Sequence, residues 1–497
     1  MSASQTVKKS ADFYRIHKLR LDPTAEQRVK LEEESRAARW AYNTYLNHWE
    51  TCQNNWLRYR KELLSQGLDK DAATQKTKQK ATTDPGLKAL SWTAFSKEKI
   101  TPLRKKHERA EKLLRQLENT ELKHFQRDTI VDELKQLNLH PQTEEVDKIH
   151  PWVHKVHRRS LTTGLKNADS AIQNFFNSLR PDYSGPRVGK PRYKRANARK
   201  TIIMDAETIG AYGAYDFRTS GLISNYHRVR LGPFRSVRTY NSTKPLSRDI
   251  KRGGDAKSFT LTEKAGYWYV SIRVEFDTPQ IQSATRKQRE NSAVGIDFGV
   301  SKWGTISNGQ VFLLPETIKT GEKKIRNLQR KLARAQKGSN RRRRLLERIA
   351  KSKHTVALQK ETFIHEVSKE MTTQHDLIGI EDLNIRGMTA SARGTVEKPG
   401  KNVRAKAGLN RSILEGSPYE FRRQLEYKAR RYGSKTILVD RFYASSKICS
   451  HCGKKKQDLT LKDRFFHCPH CGFEIDRDLN AALNIKAEAE RLSTKLK

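Results

Sequence analysis

Cysteines and long apolar segments are both scarce in this 497-residue chain. No apolar run approaches the roughly 18 residues that a membrane-spanning helix needs, and the polar stretch 1–10 lacks the apolar core of a secretory signal. Only five cysteines are present, and four of them lie between positions 449 and 471. This clustering favours a metal site over disulfides, and together these features predict a cytoplasmic protein with no membrane partner.

Acidic residues are outnumbered by basic ones, 55 against 99, which gives a formal net charge of +44. An excess of this size repels itself in a compact fold unless a polyanion neutralises it. The charge therefore predicts a nucleic-acid partner and argues against a purely metabolic enzyme. At about 150 residues a domain, the length predicts roughly three domains.

The chain changes character along its length. The stretch Phe13–Leu21 alternates apolar and basic residues as a strand does, and Asp22–Thr24 offers a helix N-cap. A glycine-poor helical region follows, in which 103–139 is typical of a helical hairpin or a short coiled coil. A β-rich region comes next, and its clearest element is a hairpin of Ser258–Glu263 and Tyr267–Phe276.

The polar stretch Pro279–Asn291 is interpreted as a linker, and an α/β pattern follows it to the last residue. The predicted fold class is multidomain α+β. The predicted domains are a β domain of 1–23 with 181–285, a helical domain of 24–180, and an α/β domain of 286–497 with an insert at about 444–475.

Three acidic residues stand where an apolar segment ends or a helix begins. Asp297 lies inside the apolar run 293–300, and Glu381 closes a second strand-like run. Asp478 precedes 479–485, whose spacing is helical, so we expect this acid in the first turn of a helix. Burying a carboxylate costs several kcal/mol unless it is paired or binds a metal.

Each of these acids alone also fits a cap or a surface strand end, and Asp476 is a rival for the third position. Delivered together by two strand ends and a helix start, the three would converge at one edge of a sheet. Mg²⁺ held by a few carboxylates suits phosphoryl transfer. Two such ions, roughly 3.5–4 Å apart, would activate a water and stabilise the leaving oxygen.

The four clustered cysteines form two CxxC pairs, Cys449 with Cys452 and Cys468 with Cys471, separated by 15 residues. This spacing is typical of a zinc ribbon, in which four thiolates bind one Zn²⁺. Four thiolates leave no open coordination position, so the predicted Zn²⁺ is structural. Because the pairs lie between Glu381 and Asp478 in the sequence, loss of the metal is predicted to misplace the third acid.

Basic residues are concentrated in a few segments. From 319 to 353 there are 15 lysines or arginines against two glutamates, and apolar residues recur at helical spacing, which predicts two packed helices joined around Gly338–Ser339. A charge run of this kind also fits a solvated helix face. The candidate phosphate contacts are Lys323, Lys324, Arg326, Arg330, Arg341, Arg342, Arg343, Arg344, Lys190, Arg192 and Lys194.

The acid motifs together resemble those of the RuvC nuclease in transposon-encoded TnpB proteins and compact type V CRISPR effectors. The resemblance is close over about 290–497 and looser upstream. The matching segments are Val294–Gly299 (VGIDFG), Ile380–Asn384 (IEDLN), Asp476–Ala482 (DRDLNAA), Arg422–Tyr427 (RRQLEY) and Tyr443–Lys447 (YASSK), and, upstream, Arg39–Asn43 (RWAYN), 174–176 (NFF) and Gly189–Tyr193 (GKPRY).

The resemblance implies an RNase H-like nuclease domain with Asp297, Glu381 and Asp478 as its catalytic and Mg²⁺-binding triad. It also implies a prokaryotic protein whose partners are a guide RNA and target double-stranded DNA. Guide pairing would select the target next to a short flanking motif. The helical domain would be a recognition lobe and the β domain a wedge-like barrel, and the sequence is compatible with a monomer or a dimer.

The length of the helical stretch 103–146 favours a compact CRISPR effector, although an enlarged TnpB accounts for the same residues. Two further hypotheses use the same motifs. One is a guide-independent transposase or resolvase, and the other is an RNA-guided protein that binds DNA without cutting it.

Overall fold

The computed structural model describes residues 13–118, 124–137, 152–205, 226–395, 397–460 and 463–495. The chain forms two compact units, Arg15–Glu275 and Phe276–Lys497, and the described residues Phe13 and Tyr14 belong to the second. Both contain helices and sheets, so the fold is a mixed α+β one. No helix in the described ranges combines the length and the apolar character needed to cross a membrane.

The first unit begins as the sequence predicts, with a strand that leads into a capped helix. Thr24 caps the long helix α1 through a reciprocal box, in which its hydroxyl accepts from the Gln27 amide and Gln27 Oε1 accepts from the Thr24 amide. The elements are β1 Tyr14–Asp22, α1 Ala25–Ser65, α2 Lys70–Thr83, α3 Trp92–Phe95 with the π-helical turn Ser96–Ile100, α4 Thr101–Leu117, α5 His124–Gln136, α6 Arg158–Asn177, β2 Thr201–Asp205, β3 Arg228–Arg230, β4 Ser236–Thr239, α7 Lys244–Lys251, β5 Asp255–Lys264 and β6 Tyr267–Glu275.

Two predicted hairpins of this unit are confirmed. Strands β5 and β6 pair antiparallel, and Ala265 and Gly266 make the turn with positive φ angles of 55° and 85°. Helices α4 and α5 pack through Leu113 and Leu134. The rest of the long helical stretch, 138–146, lies outside the described residues.

The β strands of the first unit form a six-stranded sheet in the order β2-β5-β6-β1-β4-β3. Within the described residues, β2 and β3 stand at opposite ends of this order and do not pair with each other. Closure into a barrel therefore stays a prediction, as does the division of this unit into a helical lobe and a β domain.

The second unit is built on a five-stranded mixed sheet in the order β11-β10-β7-β8-β9. The three strands β7, β10 and β11 run parallel, and β8 and β9 complete the sheet antiparallel. The elements are α8 Arg286–Asn291, β7 Ala293–Asp297, β8 Gly304–Ile306, β9 Val311–Phe312, α9 Glu316–Ala333, α10 Asn340–Gln374, β10 Leu377–Glu381, α11 Ile385–Met388, α12 Val403–Gly416, α13 Pro418–Tyr432, β11 Lys435–Val439, β12 Phe465–His467, β13 Glu474–Asp476 and α14 Arg477–Lys495.

The interpretation of 279–291 as a linker is wrong for its second half, which forms helix α8. Thr285 and Gln288 make a capping box at its start. The buried amide of Gln288 then donates to the carbonyls of Thr372 and Tyr432. A polar composition concealed this anchor, because the polar groups are satisfied by backbone partners distant in sequence.

Candidate active site and metal centre

Two of the predicted acids stand side by side at one edge of the sheet. Asp297 ends β7 and Glu381 ends β10. The two strands are parallel and in register, with Ile296 opposite Ile380, so the next residues of both strands are the two acids. Parallel neighbours present their carboxyl ends at the same edge, which is why the sequence brings these side chains together.

The third acid reaches the same edge because α14 lies directly on the sheet. Gly295 and Gly379 are opposite each other on β7 and β10. A Cβ atom on Gly295 would lie 2.2 Å from the Ala482 carbonyl oxygen, and one on Gly379 would lie 2.7 Å from the Ala489 Cβ atom. Because neither glycine has a Cβ atom, the backbone of α14 can pack directly against β7 and β10.

Asp478 stands in the first turn of α14 and lines a cavity of about 720 Å³ together with Asp297 and Glu381. Helix α14 also packs on β7, β8, β10 and β11, so the position of Asp478 is set by the whole sheet. The structure places the three acids around one cavity, as the sequence predicts. Their catalytic role stays a prediction at this point.

The cavity disfavours the ionised form of one of its carboxylates, Asp297. Burial, followed by the charges of Glu381 and Asp478, raises the pKa of Asp297 well above its usual range. Glu381 Oε1 accepts a hydrogen bond from the Ser445 hydroxyl at 2.6 Å. Arg477 donates to Asp478 Oδ1 at 3.1 Å, and Lys302 Nζ lies 3.8 Å from Asp478 Oδ2.

Asp476, the rival for the third position, caps helix α14 and does not line the cavity. Its Oδ1 accepts from the backbone amides of Asp478 and Leu479 at 3.0 and 3.1 Å, which makes it the cap of α14. Its Oδ2 pairs with Lys302 Nζ at 2.7 Å. Asp476 is not among the residues that line the cavity, whereas Asp478 is.

The residues around the cavity fit a divalent cation. Burial and then the charges of Glu381 and Asp478 raise the pKa of Asp297, and a bound cation would favour the ionised carboxylate. Among the described residues, only the four cysteines bring three or more ligand atoms within 4.8 Å of one another. The oxygens of the three carboxylates are therefore farther apart than the ligands of one metal ion bound by all three. Mg²⁺ tolerates this, because it is held by one or two carboxylates with waters and substrate phosphate.

The second metal centre is formed by the four cysteines, whose sulfur atoms all lie within 4.8 Å of one another. Cys449 and Cys471 are separated by 3.7 Å between sulfurs, and Cys452 and Cys468 by 3.6 Å. A tetrahedral Zn²⁺ with bonds of about 2.3 Å requires sulfurs about 3.8 Å apart. The cluster therefore has the dimensions of a structural zinc site.

Two asparagines of α14 tie the cysteine segment to the acid cavity. Asn480 donates to the Ile448 carbonyl at 2.7 Å and accepts from the Ser450 amide at 2.9 Å, on either side of Cys449. Asn484 donates to the carbonyls of Ser445 and Ile448 at 2.8 and 2.6 Å. Ser445 in turn donates to Glu381, so one polar network joins both centres.

Sequence reasoning missed Ser445, Lys302, Arg477 and the two asparagines as site residues. Lys302 and Arg477 lie within a few residues of predicted acids in the sequence. This proximity is a signal that could have identified them as site residues. Ser445 lies in the matching segment Tyr443–Lys447, whereas Asn484 is marked by no quoted motif, and its contacts depend on how α14 packs on the sheet.

The predicted helical pair of the basic segment is confirmed. Helices α9 and α10 pack through Leu328, Leu345 and Ile349, and Gly338 adopts a φ of 83° before Ser339, the N-cap of α10. Within the described part of the chain, most of the candidate phosphate contacts on this pair are exposed and make no ion pair. They are Lys323, Lys324, Arg330, Arg341, Arg343 and Arg344, and Arg326 is half-buried.

Among the remaining candidate phosphate contacts, three contact other groups of the protein, and the fourth is exposed. Arg342 is half-buried and donates to the carbonyls of Leu332 and Ala335 at the end of α9. Lys190 pairs with Glu50 at 3.1 Å.

Lys194 is half-buried and lies 4.0 Å from the centre of the Tyr42 ring, and burial lowers its pKa. Arg192 is exposed.

Three family models match the chain. A "Cas12f1-like, TNB domain" covers 419–485, a "Probable transposase" model covers 271–392, and a "Helix-turn-helix domain" model covers 14–61. In this structure 14–61 forms β1 and most of the single helix α1. The first two models contain the four cysteines and the acids Asp297, Glu381 and Asp478.

The identity to one curated relative, and the share of both chains that it covers, establish the family. The chain is 32% identical over 338 residues to a protein named "Putative RNA-guided DNA endonuclease InsQ" from Escherichia coli (strain K12), covering 68% of this chain and 75% of the relative. The chain belongs to the TnpB family.

The chain is also similar to CRISPR-associated proteins. The "CRISPR-associated endodeoxyribonuclease Cas12f1" of Sulfoacidibacillus thermotolerans is 25% identical over 45% of this chain and 50% of its own length. A solved Cas12f1–sgRNA–target DNA complex aligns with 95% of this chain and 98% of that chain, at 14% identity and a TM-score of 0.39.

Proposed function

We propose that this chain is an RNA-guided DNA endonuclease that hydrolyses phosphodiester bonds at a single RuvC-like site. The observation that carries the proposal is the convergence of Asp297, Glu381 and Asp478 on one cavity at the edge of the five-stranded mixed sheet. Family membership supports the same activity, because relatives in the TnpB family are named as RNA-guided DNA endonucleases.

In this proposal the three acids hold Mg²⁺. Two bound Mg²⁺ ions would supply an activated water and charge stabilisation for the leaving oxygen. Ser445 fixes the rotamer of Glu381 through its 2.6 Å hydrogen bond. Lys302 and Arg477 flank Asp478 and supply positive charge where the phosphate of the DNA strand enters.

The four cysteines hold structural Zn²⁺, and the network of Asn480 and Asn484 transmits their position to the acids. The basic helices α9 and α10 contact phosphate. Residues 24–180 act as the recognition lobe and the sheet of the first unit as the wedge, with guide RNA and target double-stranded DNA as partners in a prokaryotic cytoplasm. Base pairing would carry the sequence specificity.

The nature of the bound RNA tests the proposal. The protein is purified from cells that contain its native locus, washed at high salt, and the retained RNA is sequenced. We then expect the purified complex to cut DNA that matches the guide segment of that RNA. Absence of any defined RNA would contradict guided function and favour a guide-independent transposase.

The same experiment separates two versions of the function. Repeat-plus-spacer RNA identifies a CRISPR effector, which the helical hairpin of α4 and α5 favours because of its length. RNA that ends at a transposon boundary identifies a transposon-encoded TnpB, which the match to a transposase model favours.

The exposed arginines at the start of α10 provide a test of phosphate contact. Replacing Arg341, Arg343 and Arg344 by alanine is expected to make the dependence of log affinity for guide RNA on log salt concentration shallower by about 2–3, since each lost contact removes about 0.7–0.9. Binding across a salt series measures this slope.

Arg342→Ala is the matched control for that experiment. This arginine donates to carbonyls at the end of α9, so its loss is expected to lower the melting temperature and leave the salt slope unchanged. Equal slopes for the triple variant and the wild type would remove these arginines from the phosphate contacts.

A further inference from the structure

The loop that follows β11 runs along the edge of the sheet where the acids lie. Val439, the last residue of β11, is opposite Glu381, the last residue of β10. The residues that follow, 440–445, therefore leave the sheet beside the acid cavity. Ser445, at the end of this loop, reaches Glu381 and lines the cavity.

This loop is anchored at several points. Arg441 donates to Asp382, the residue after Glu381. Asp440 Oδ1 accepts from the Phe442 amide at 2.7 Å, and the Asp440 carbonyl accepts from the Tyr443 amide at 3.0 Å. The backbone on both sides of Phe442 is thus fixed relative to the cavity.

Phe442 itself contributes almost nothing to packing. Its side chain is 87% exposed, the largest value among the large apolar side chains of the described residues. The neighbouring Tyr443, by contrast, packs against Val439 and Ile485. An aromatic side chain is therefore presented to solvent between Arg441 and Ser445, which donate to Asp382 and Glu381 at the end of β10.

The surroundings of the ring favour nucleic acid as its partner. The adjacent cavity is lined by Lys447, Arg464 and Arg477, which attract phosphate. A strand whose phosphates meet these cations carries a base at each nucleotide, and a base stacks on an aromatic face without regard to its identity. An unpaired base is needed, because a paired base already stacks in its duplex.

We propose that Phe442 is a substrate-positioning residue that stacks on one unpaired base of the DNA strand being cut, next to the scissile phosphate. The inference rests on the proposed nuclease function and adds to it a preference for a separated single strand in the cavity. The hydrogen bonds from Arg441 to Asp382 and from Ser445 to Glu381 hold the backbone that carries Phe442 beside the cavity.

The test uses the protein–guide RNA complex and guide-matched DNA with a single abasic nucleotide moved along the cut strand. With wild-type protein, one abasic position near the cut is expected to raise KM about 5–100-fold and leave kcat nearly unchanged, which corresponds to about 1–3 kcal/mol for one stacked base. Phe442→Ala is expected to raise KM similarly on intact DNA and to be insensitive to that abasic position.

Two further variants separate stacking from a general apolar contact. Phe442→Trp is expected to restore the wild-type KM, and Phe442→Leu is not, because leucine has no π face. Melting temperatures should match that of the wild type for all three variants, since the ring is exposed. Tyr419→Ala, which removes another aromatic side chain of the same unit that is 69% exposed, is expected to keep the wild-type KM and abasic sensitivity.

The outcomes separate the two proposals. If wild-type protein cuts intact DNA but Phe442→Ala keeps the wild-type KM and abasic sensitivity, the stacking inference fails and the nuclease function stands. A restored KM in Phe442→Leu would likewise overturn stacking. If the wild-type complex cuts no guide-matched DNA, the proposed function fails and the inference falls with it.

Discussion

Replacing Asp297 by asparagine is expected to slow DNA cleavage by about 10³-fold or more while guide RNA affinity stays unchanged. Asparagine keeps the size of the side chain but removes the charge that would hold Mg²⁺ at the end of β7. Single-turnover cleavage of guide-matched DNA measures the first quantity, and an RNA-binding titration measures the second. Cleavage at the wild-type rate would overturn the nuclease assignment.

Asp376→Asn is the matched control for activity. Asp376 precedes β10 and so stands at the opposite end of the strand from Glu381, away from the acid edge. This variant is expected to cut DNA at the wild-type rate. A variant of Asp297 that lost cleavage and RNA binding together would indicate misfolding instead of a lost metal ligand.

The same Asp297→Asn substitution is expected to stabilise the protein when divalent cations are chelated. Burial and the charges of Glu381 and Asp478 raise the pKa of Asp297, so ionising this group costs free energy in the folded state. Wild-type stability therefore falls as pH rises above the ordinary carboxyl pKa of about 3.9. Asparagine removes that loss, and the melting temperature at pH 8 should rise by about 2–4 °C per kcal/mol relieved.

Asp382→Asn tests whether a lowered carboxyl pKa has the opposite effect on stability. Hydrogen bonds from Arg441 and then Arg422 hold the pKa of Asp382 below its usual range. The ionised group stabilises the fold above the ordinary carboxyl pKa, and that stability is lost as pH falls through the lowered pKa. Asp382→Asn should therefore lower the melting temperature at neutral pH, which is the opposite of the effect at Asp297.

The sequence was sufficient to place the acids because their signal is local. An apolar run that ends in a carboxylate identifies both a strand and its carboxyl end, as at Asp297 and Glu381. Parallel pairing then fixes which edge these ends share. The Cys-x-x-Cys pairs are equally local, since four thiols with this spacing have few ways to meet.

Other features depended on three-dimensional packing that a linear pattern does not contain. The run Arg341–Arg344 reads as four equivalent charges, yet Arg342 turns inward to α9 while its neighbours are exposed. Ser445 joins Glu381 across 64 positions of sequence. Helix α8 was hidden in a polar stretch because its anchor, Gln288, bonds to residues more than 80 positions away.

Gly295 lies at the centre of the arrangement, and Gly295→Ala is expected to cost several kcal/mol of unfolding free energy and most of the cleavage activity. The added Cβ atom would lie 2.2 Å from the Ala482 carbonyl oxygen and 2.4 Å from the Lys486 amide nitrogen. Both are backbone atoms of α14, so relief requires the whole helix to move, and Asp478 moves with it. Denaturant unfolding and single-turnover cleavage measure the two effects.

Gly304→Ala in the neighbouring strand β8 is the matched control for Gly295→Ala. A Cβ atom at Gly304 would meet its nearest atoms at 3.6 and 3.9 Å, which is ordinary contact, so this variant should keep near wild-type stability and activity. If Gly295→Ala also kept both, close packing of α14 on the sheet would not be what positions Asp478. A variant of Gly295 that stays folded but cuts slowly would instead separate the placement of the acid from the stability of the fold.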